Sequence, residues 1–203
     1  MRKTKEREIV LGNLVSAIDM LQNCPEFSLL IPEVRTNLVY TPRGAKTPQD
    51  VAGVEGRITI VHGLPHASSL PAWGVSDHMA RRIIEVRKYA PEINAGINFK
   101  CDHLVTDVLQ EYCFEKGLVF ACLDRTRDPA ETEKRDGASM PWKVKGLAES
   151  GEAVPRLFCE GPGWGKEPLC FVLGEDAVEV ATTAIEIARR YREKHRHGTL
   201  QAP

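Results

Sequence analysis

The sequence predicts an α/β domain organised around one sheet, and three observations carry that prediction. Helix-period and strand-period segments alternate through the middle of the chain, at Ala95–Lys100, His103–Lys116 and 118–123. Apolar residues recur at helical spacing near both ends. At 203 residues, with 42% hydrophobic and 27% charged side chains, the chain suits one soluble globular domain with a real core. Elements of both kinds in alternation pack as layers on a shared sheet, and periodicity alone leaves the strand directions open.

Residues 4–23 read as an amphipathic helix. Ile9, Leu11, Leu14, Val15, Ile18 and Leu21 recur at helical spacing, and Pro25 closes it. Ile31-Pro32-Glu33-Val34 leads into a strand through Asn37-Leu38-Val39-Tyr40. Pro42, Gly44 and Pro48 make a turn-rich segment, followed by a short helix near Asp50 and a strand over 57–61. The prolines and glycines of 62–75 predict a loop. Ser76 is placed to N-cap a helix running through Met79, Ile83, Ile84 and Val86 to Tyr89, which Pro91 stops. After the central alternation, 124–138 is highly charged and predicts an exposed loop with a short helical piece. A helix over 141–149, strands over 156–159 and 169–173, and a helix over 176–194 follow, with 195–203 frayed.

A net charge of −1 exerts no general pull toward nucleic acid or acidic membranes. No apolar run approaches the ~20 residues that span a bilayer, and the charged start lacks a signal-peptide core, so a cytoplasmic protein is expected. Six scattered cysteines without a Cys-x-x-Cys pair are expected as reduced, mostly buried thiols. Cys101-Asp102-His103 carries ligand-like side chains but is read as structure. His62 and His66 stand four apart, yet the Gly63-Leu64-Pro65 between them opposes a helix, so no metal pair is expected.

The stretch with most chemical content is Glu160-Gly161-Pro162-Gly163-Trp164-Gly165-Lys166-Glu167-Pro168. Its glycines allow a tight turn and close backbone approach, and Lys166 suits an anionic oxygen. It is not a Walker A motif: Gly161 is one residue too close to Gly165, and Glu167 stands where a hydroxyl should hold magnesium. An ATPase reading is poor on that ground, and a non-ATPase phosphate or pyrophosphate site stays open. His78 falls in the first turn of the Ser76 helix, where free backbone N–H groups favour an anion and disfavour imidazolium. A neutral histidine donating to phosphate and an exposed surface histidine both fit that position. Arg81, one turn on, either extends the anion site or lies on the surface. Arg57 at a strand entrance points to solvent or into a site at the sheet edge. Asp124-Arg125 follows a strand's carboxyl end, where ligand loops gather, and also fits a local ion pair.

Taken in order, these segments resemble the archaeal-type (ThiN-type) thiamine-phosphate synthase domain. The likeness is carried by Ile31-Pro32-Glu33-Val34 through Tyr40, Gly44-Ala45, Asp50-Val51-Ala52, Gly56-Arg57-Ile58 and Ser76 through Arg81. It continues in Asn98, Asp124-Arg125, Gly137-Ala138-Ser139 with Trp142, and Gly165-Lys166-Glu167-Pro168 with Leu173-Gly174. It covers 28–190 and implies an N-terminal helix over 1–27, a synthase domain over 28–195 and a tail over 196–203. It further implies a three-layer α/β/α sandwich with a mixed, largely antiparallel sheet, like a class II aldolase domain.

The activity implied joins hydroxymethylpyrimidine diphosphate to a thiazole phosphate with release of pyrophosphate. The family's catalytic arginine and histidine match Arg57 and His78. Substrate contacts are expected from Arg81, Asn98, Asp124, Arg125, Ser139, Glu160, Gly165, Lys166 and Glu167. No tightly bound cofactor and no protein metal site are expected, though Mg2+ can accompany the diphosphate. The expected partners are phosphorylated small molecules and a second copy of the chain, with neither nucleic acid nor membrane. A non-catalytic thiamine-phosphate sensor is the alternative. Two departures bear on the pocket: Arg35-Thr36 replaces an expected glycine and small residue, and His62 stands where glycine is usual.

Overall fold

Helix α1 spans Arg2–Gln22 and a 3-10 turn Pro25–Leu30, leading to strand β1 at Leu38–Tyr40. The structure, a computed structural model, describes residues 2–125, 139–149, 151, 153–163 and 165–199. After a short 3-10 turn at Pro48–Asp50 come β2 (Ala52–Val54), β3 (Ile58–Val61), β4 (Leu64–Ala67) and β5 (Pro71–Trp73). Helix α2 (Asp77–Val86), β6 (Ala95–Lys100), α3 (His103–Lys116) and β7 (Phe120–Leu123) follow. The chain continues with α4 (Met140–Glu149), β8 (Leu157–Glu160), β9 (Leu169–Gly174) and α5 (Ala177–Thr199).

Seven strands form one sheet in the order β5-β2-β1-β6-β9-β8-β7, antiparallel throughout except for the parallel β7–β8 pair. Helices cover both faces. Leu14, Leu21, Phe27, Val108 and Ala184 bring α1, α3 and α5 onto one face with Ile97 and Val172 of the sheet. Met79, Ile83, Val144 and Leu147 bring α2 and α4 onto the other with Phe158, Phe171 and Leu173. The result is a three-layer α/β/α sandwich with a mixed, mainly antiparallel sheet, as the resemblance implied. Burying each such side chain contributes on the order of 1.5–3 kcal/mol, which is why the apolar stripes decide the layering.

Helix α1 belongs to this core: Val10, Leu14, Ala17, Ile18 and Leu21 are buried, while Ile9 and Val15 of the sequence stripe face solvent. Asn13 of α1 also caps α5, its Oδ1 accepting from Ala177 N (2.9 Å) and Val178 N (3.2 Å). That cap satisfies two of the orphan donors of a helix start from a residue far away in sequence.

The expected loop at 62–75 is instead two strands. β3 and β4 form a hairpin whose two-residue turn, His62-Gly63, has positive φ at both positions (50° and 78°). Paired left-handed residues match the twist of the flanking strands. Pro71 opens β5, an edge strand, where a missing N–H costs no ladder bond. Ser76 starts α2, but its hydroxyl caps no N–H and instead accepts from Asn37 Nδ2 at 2.6 Å. Asp102, by contrast, caps α3 through Val105 N and pairs with Lys100, so the Cys101-Asp102-His103 stretch is structural. Cys24, Cys101, Cys113 and Cys170 are free, and three of them are buried, as expected, but Cys122 and Cys159 depart from expectation. Parallel register sets Cys122 opposite Cys159, and the two are joined in a disulfide, a pairing no spacing reveals across 37 residues. The short helix expected within 124–138 falls almost wholly outside the described residues, as do Gly137, Ala138 and Trp164.

Candidate active site

The β7, β8 and β9 ends that carry Leu123, Glu160 and Leu169 meet the start of β1 and of α2, and the candidate residues collect there. Two chain segments form its rim. Thr36 and Ile58 exchange backbone bonds (3.0 and 2.8 Å), bringing 34–36 against 56–58. Arg35 and Arg57 each immediately precede a residue of this bridge, both with positive φ (66° and 70°). Each donates to the carbonyl preceding the other: Arg35 Nη1 to Gly56 O at 3.2 Å, and Arg57 Nη1 to Val34 O. The two exposed guanidiniums therefore form a crossed clasp. The residue expected to be glycine at 35 sits at a left-handed position, which explains the expectation physically. His62 does likewise in the hairpin turn.

The clasp is tied to the interior. Glu167 accepts from Glu33 N (3.0 Å) and Val34 N (3.1 Å) through its two carboxylate oxygens. Asn98, buried on β6, accepts from Asn37 N at 2.8 Å and donates to Arg35 O at 3.2 Å. The glycine-rich turn closes between Gly163 and Lys166, with Gly165 left-handed (φ 62°) and Lys166 exposed. A Cβ at Gly163 would meet the Arg125 side chain at 3.4 Å, so this glycine lets the turn lie against that arginine.

Beneath the turn, Glu160 is fully buried and shared by three cations. Arg82 Nη2 lies 2.6 Å from one oxygen, while Lys143 Nζ (3.1 Å) and Arg125 reach the other. Burial alone would raise the carboxyl's pKa. Attraction to Arg82, Lys143 and Arg125 more than reverses that, holding it far below the usual carboxylate range. Burial depresses the Lys143 ammonium, with Glu160 acting against the shift. Arg125 also donates to Glu167 O at 3.0 Å. On the other side, Arg82 Nη2 is 3.3 Å from His78 Nε2. A continuous bonded path thus runs from Arg57 through Val34, Glu167, Arg125, Glu160 and Arg82 to His78.

The remaining sequence candidates take different places. Arg81 pairs with Asp77 at 2.7 Å on the half-exposed face of α2. Ser139 is buried, and its carbonyl accepts from Lys143 N at 3.0 Å, opening α4. Asp124 is exposed at the end of β7, whereas Arg125 is buried and directed inward. Sequence reasoning passed over Arg82 and Lys143. Their one available signal was helical phase, since Arg82 lies four residues from His78 on one face of α2. Among the described residues, no three His, Cys, Asp or Glu side chains gather to hold a metal ion. No helix among them is long and apolar enough to cross a membrane.

Left-handed backbone at Arg35 yields a stability prediction. An L-residue there carries roughly 1–2 kcal/mol of strain, and a β-branched one fares worse. Arg35→Gly removes the strain but adds unfolded-chain entropy of about 0.4–1 kcal/mol. In urea denaturation Arg35→Gly should stay within about 1 kcal/mol of the parent, whereas Arg35→Val should be the less stable of the two variants, because a β-branched side chain fits the left-handed region worst. Equal stability of the two variants would contradict the left-handed assignment.

Fold and site together define an α/β domain with a cation-lined end of its sheet. Residues 13–186 match the family described as "Thiamine-phosphate synthase ThiN", and the chain belongs to that family. It is 37% identical over 182 residues to the thiamine-phosphate synthase ThiN of Methanothermobacter thermautotrophicus, covering 90% of this chain and 94% of that protein. It is 32% identical over 187 residues to the bifunctional thiamine biosynthesis protein ThiDN of Methanocaldococcus jannaschii, of which it spans 42%. Among solved structures, the C-terminal domain of a phosphomethylpyrimidine kinase superposes with a TM-score of 0.84 at 29% identity. That match covers 90% of this chain and all of the other.

Proposed function

We propose that this chain condenses hydroxymethylpyrimidine diphosphate with thiazole phosphate, releasing pyrophosphate and forming thiamine phosphate. The observation that carries the reading is the bonded path joining Arg57 to His78 around one cation-lined sheet end. Departure of pyrophosphate from the aminopyrimidine methylene leaves a resonance-stabilised cation, which the thiazole nitrogen attacks. Such a step depends on neutralising the leaving group and placing two substrates, more than on a strong base. Exposed Arg57 and Lys166 hold the diphosphate in this reading, and Arg35, crossed with Arg57, lends a second guanidinium.

His78 hydrogen-bonds the departing oxygen from the first turn of α2, whose N–H groups the Ser76 hydroxyl leaves uncapped. Arg125 supports the glycine turn from below, its donors being directed to Glu160 and Glu167. Mg2+ travelling with a diphosphate needs only one or two protein carboxylates, and Asp124, exposed at the end of β7, is placed to supply one in this reading.

The test supplies both substrates to purified protein and measures thiamine phosphate and pyrophosphate. Formation of both in equal amounts is expected. Absence of product, with a control enzyme active in the same buffer, would sink the reading. Calorimetric binding of thiamine phosphate without turnover would mark the chain as a sensor.

A further inference from the structure

Arg82 is a fully buried arginine that the proposed chemistry does not itself use. Its guanidinium lies over Phe171 (4.0 Å to the ring centroid) and near Phe158 (5.4 Å). Its Nη2 spans two partners, Glu160 Oε1 at 2.6 Å and His78 Nε2 at 3.3 Å. Nε and Nη1 are buried without a hydrogen-bond partner. A buried arginine that leaves donors unmade while contacting a histidine has been committed to that arrangement at some cost, since each unmade buried donor costs on the order of 1–3 kcal/mol. Glu160, itself held by Arg125 and Lys143, fixes where the guanidinium points.

The contact fixes more than distance. Guanidinium carries donors and no acceptor, and it stays protonated in proteins. The Arg82–His78 contact is therefore a hydrogen bond only when Nε2 lacks a proton. The neutral ring must then carry its proton on Nδ1, the tautomer being set by the partner of the other nitrogen. An Nε2–H would turn a donor toward a donor.

We infer that Arg82 is a positioning residue that holds His78 as the neutral Nδ1–H tautomer, with Glu160 as the anchor that orients Arg82. His78 then acts as a neutral hydrogen-bond donor through Nδ1 and not as an acid delivering a proton from Nε2. The catalytic consequence rests on the proposed role of His78, whereas the tautomer itself does not.

The experiment is long-range 1H–15N correlation NMR on the full chain with 15N-labelled histidine, at mildly alkaline pH, with His78 assigned through His78→Gln. The expected spectrum has an acceptor-type, unprotonated shift at Nε2 and a protonated shift at Nδ1. In Arg82→Met the pattern should move toward Nε2–H, and in Arg82→Lys, which keeps a donor, it should move less. Turnover in Arg82→Met should fall about ten- to a hundredfold, the scale on which orienting partners act. A protonated Nε2 in the parent protein overturns the inference even if Arg82→Met does not fold. An unchanged tautomer in folded Arg82→Met overturns it as well. A tautomer that shifts while turnover holds would leave the positioning intact and remove His78 from the reaction.

Discussion

Glu160→Gln should cost about 3–5 kcal/mol of folding stability, the largest effect expected from a single substitution in this protein. The carboxylate has no access to solvent, and Arg82, Lys143 and Arg125 all converge on it while themselves buried. Glutamine keeps the volume and removes the charge, leaving three interior cations without the anion that offsets their desolvation. Against a typical total of about 5–15 kcal/mol, that loss should bring the midpoint of urea denaturation down by roughly a fifth or more. Acid supplies an independent check. The folded pKa of Glu160 lies far below that of an unfolded glutamate, about 4.3. Its contribution is therefore complete above that value and is lost as pH falls below it toward the folded pKa. The parent should lose stability on acidification through that window faster than Glu160→Gln does. A loss under about 1 kcal/mol at neutral pH, the scale of an exposed pair, would show that the cluster is solvated and not buried.

Arg57→Ala should lower turnover by two to three orders of magnitude, about 3–4 kcal/mol of transition-state stabilisation. Charge builds on the leaving diphosphate as its bond to the methylene breaks, and a contact made mainly then affects rate more than binding. Thiamine phosphate should accordingly bind Arg57→Ala within about tenfold of the parent, since one lost exposed contact is worth roughly 1 kcal/mol. Lysine should rescue poorly, because it offers a point charge in place of a planar fork of donors. The left-handed backbone at 57 calls for a second control, Arg57→Gly, which removes the same guanidinium while fitting φ 70° without strain. Equal turnover in the Ala and Gly variants assigns the loss to the side chain. Near-normal turnover in both would remove Arg57 from the reaction and, with it, the central residue of the proposed mechanism.

The elements from Ala95 to Lys116 were readable because their signals are local: period-two apolar residues, then an Asp102 cap, helical spacing and a terminal Gly117 with φ 64°. The hairpin at 58–67 was not, because its turn depends on His62 accepting a left-handed conformation that residue type alone does not announce. The site divides along the same line. Arg57, His78 and Lys166 could be singled out by charge, helix position and flanking glycines. Arg81 and Arg82 could not be told apart by residue type, since both are arginines in one helix.

What the sequence determined by itself is the helices α1 to α5, the central and C-terminal strands, their α/β alternation and the presence of an anion-suited glycine turn. Each of these follows from side-chain periodicity and backbone preference within a few residues. Tertiary structure alone decided that β6 lies between β1 and β9, that Cys122 meets Cys159, that Asn13 caps α5, and that Glu160 gathers three cations. It also decided that α2 turns Arg82 inward and Arg81 outward. Strand order and helix phase are chosen by burying the largest apolar area on both faces of one sheet, and that choice sums over residues far apart in the chain.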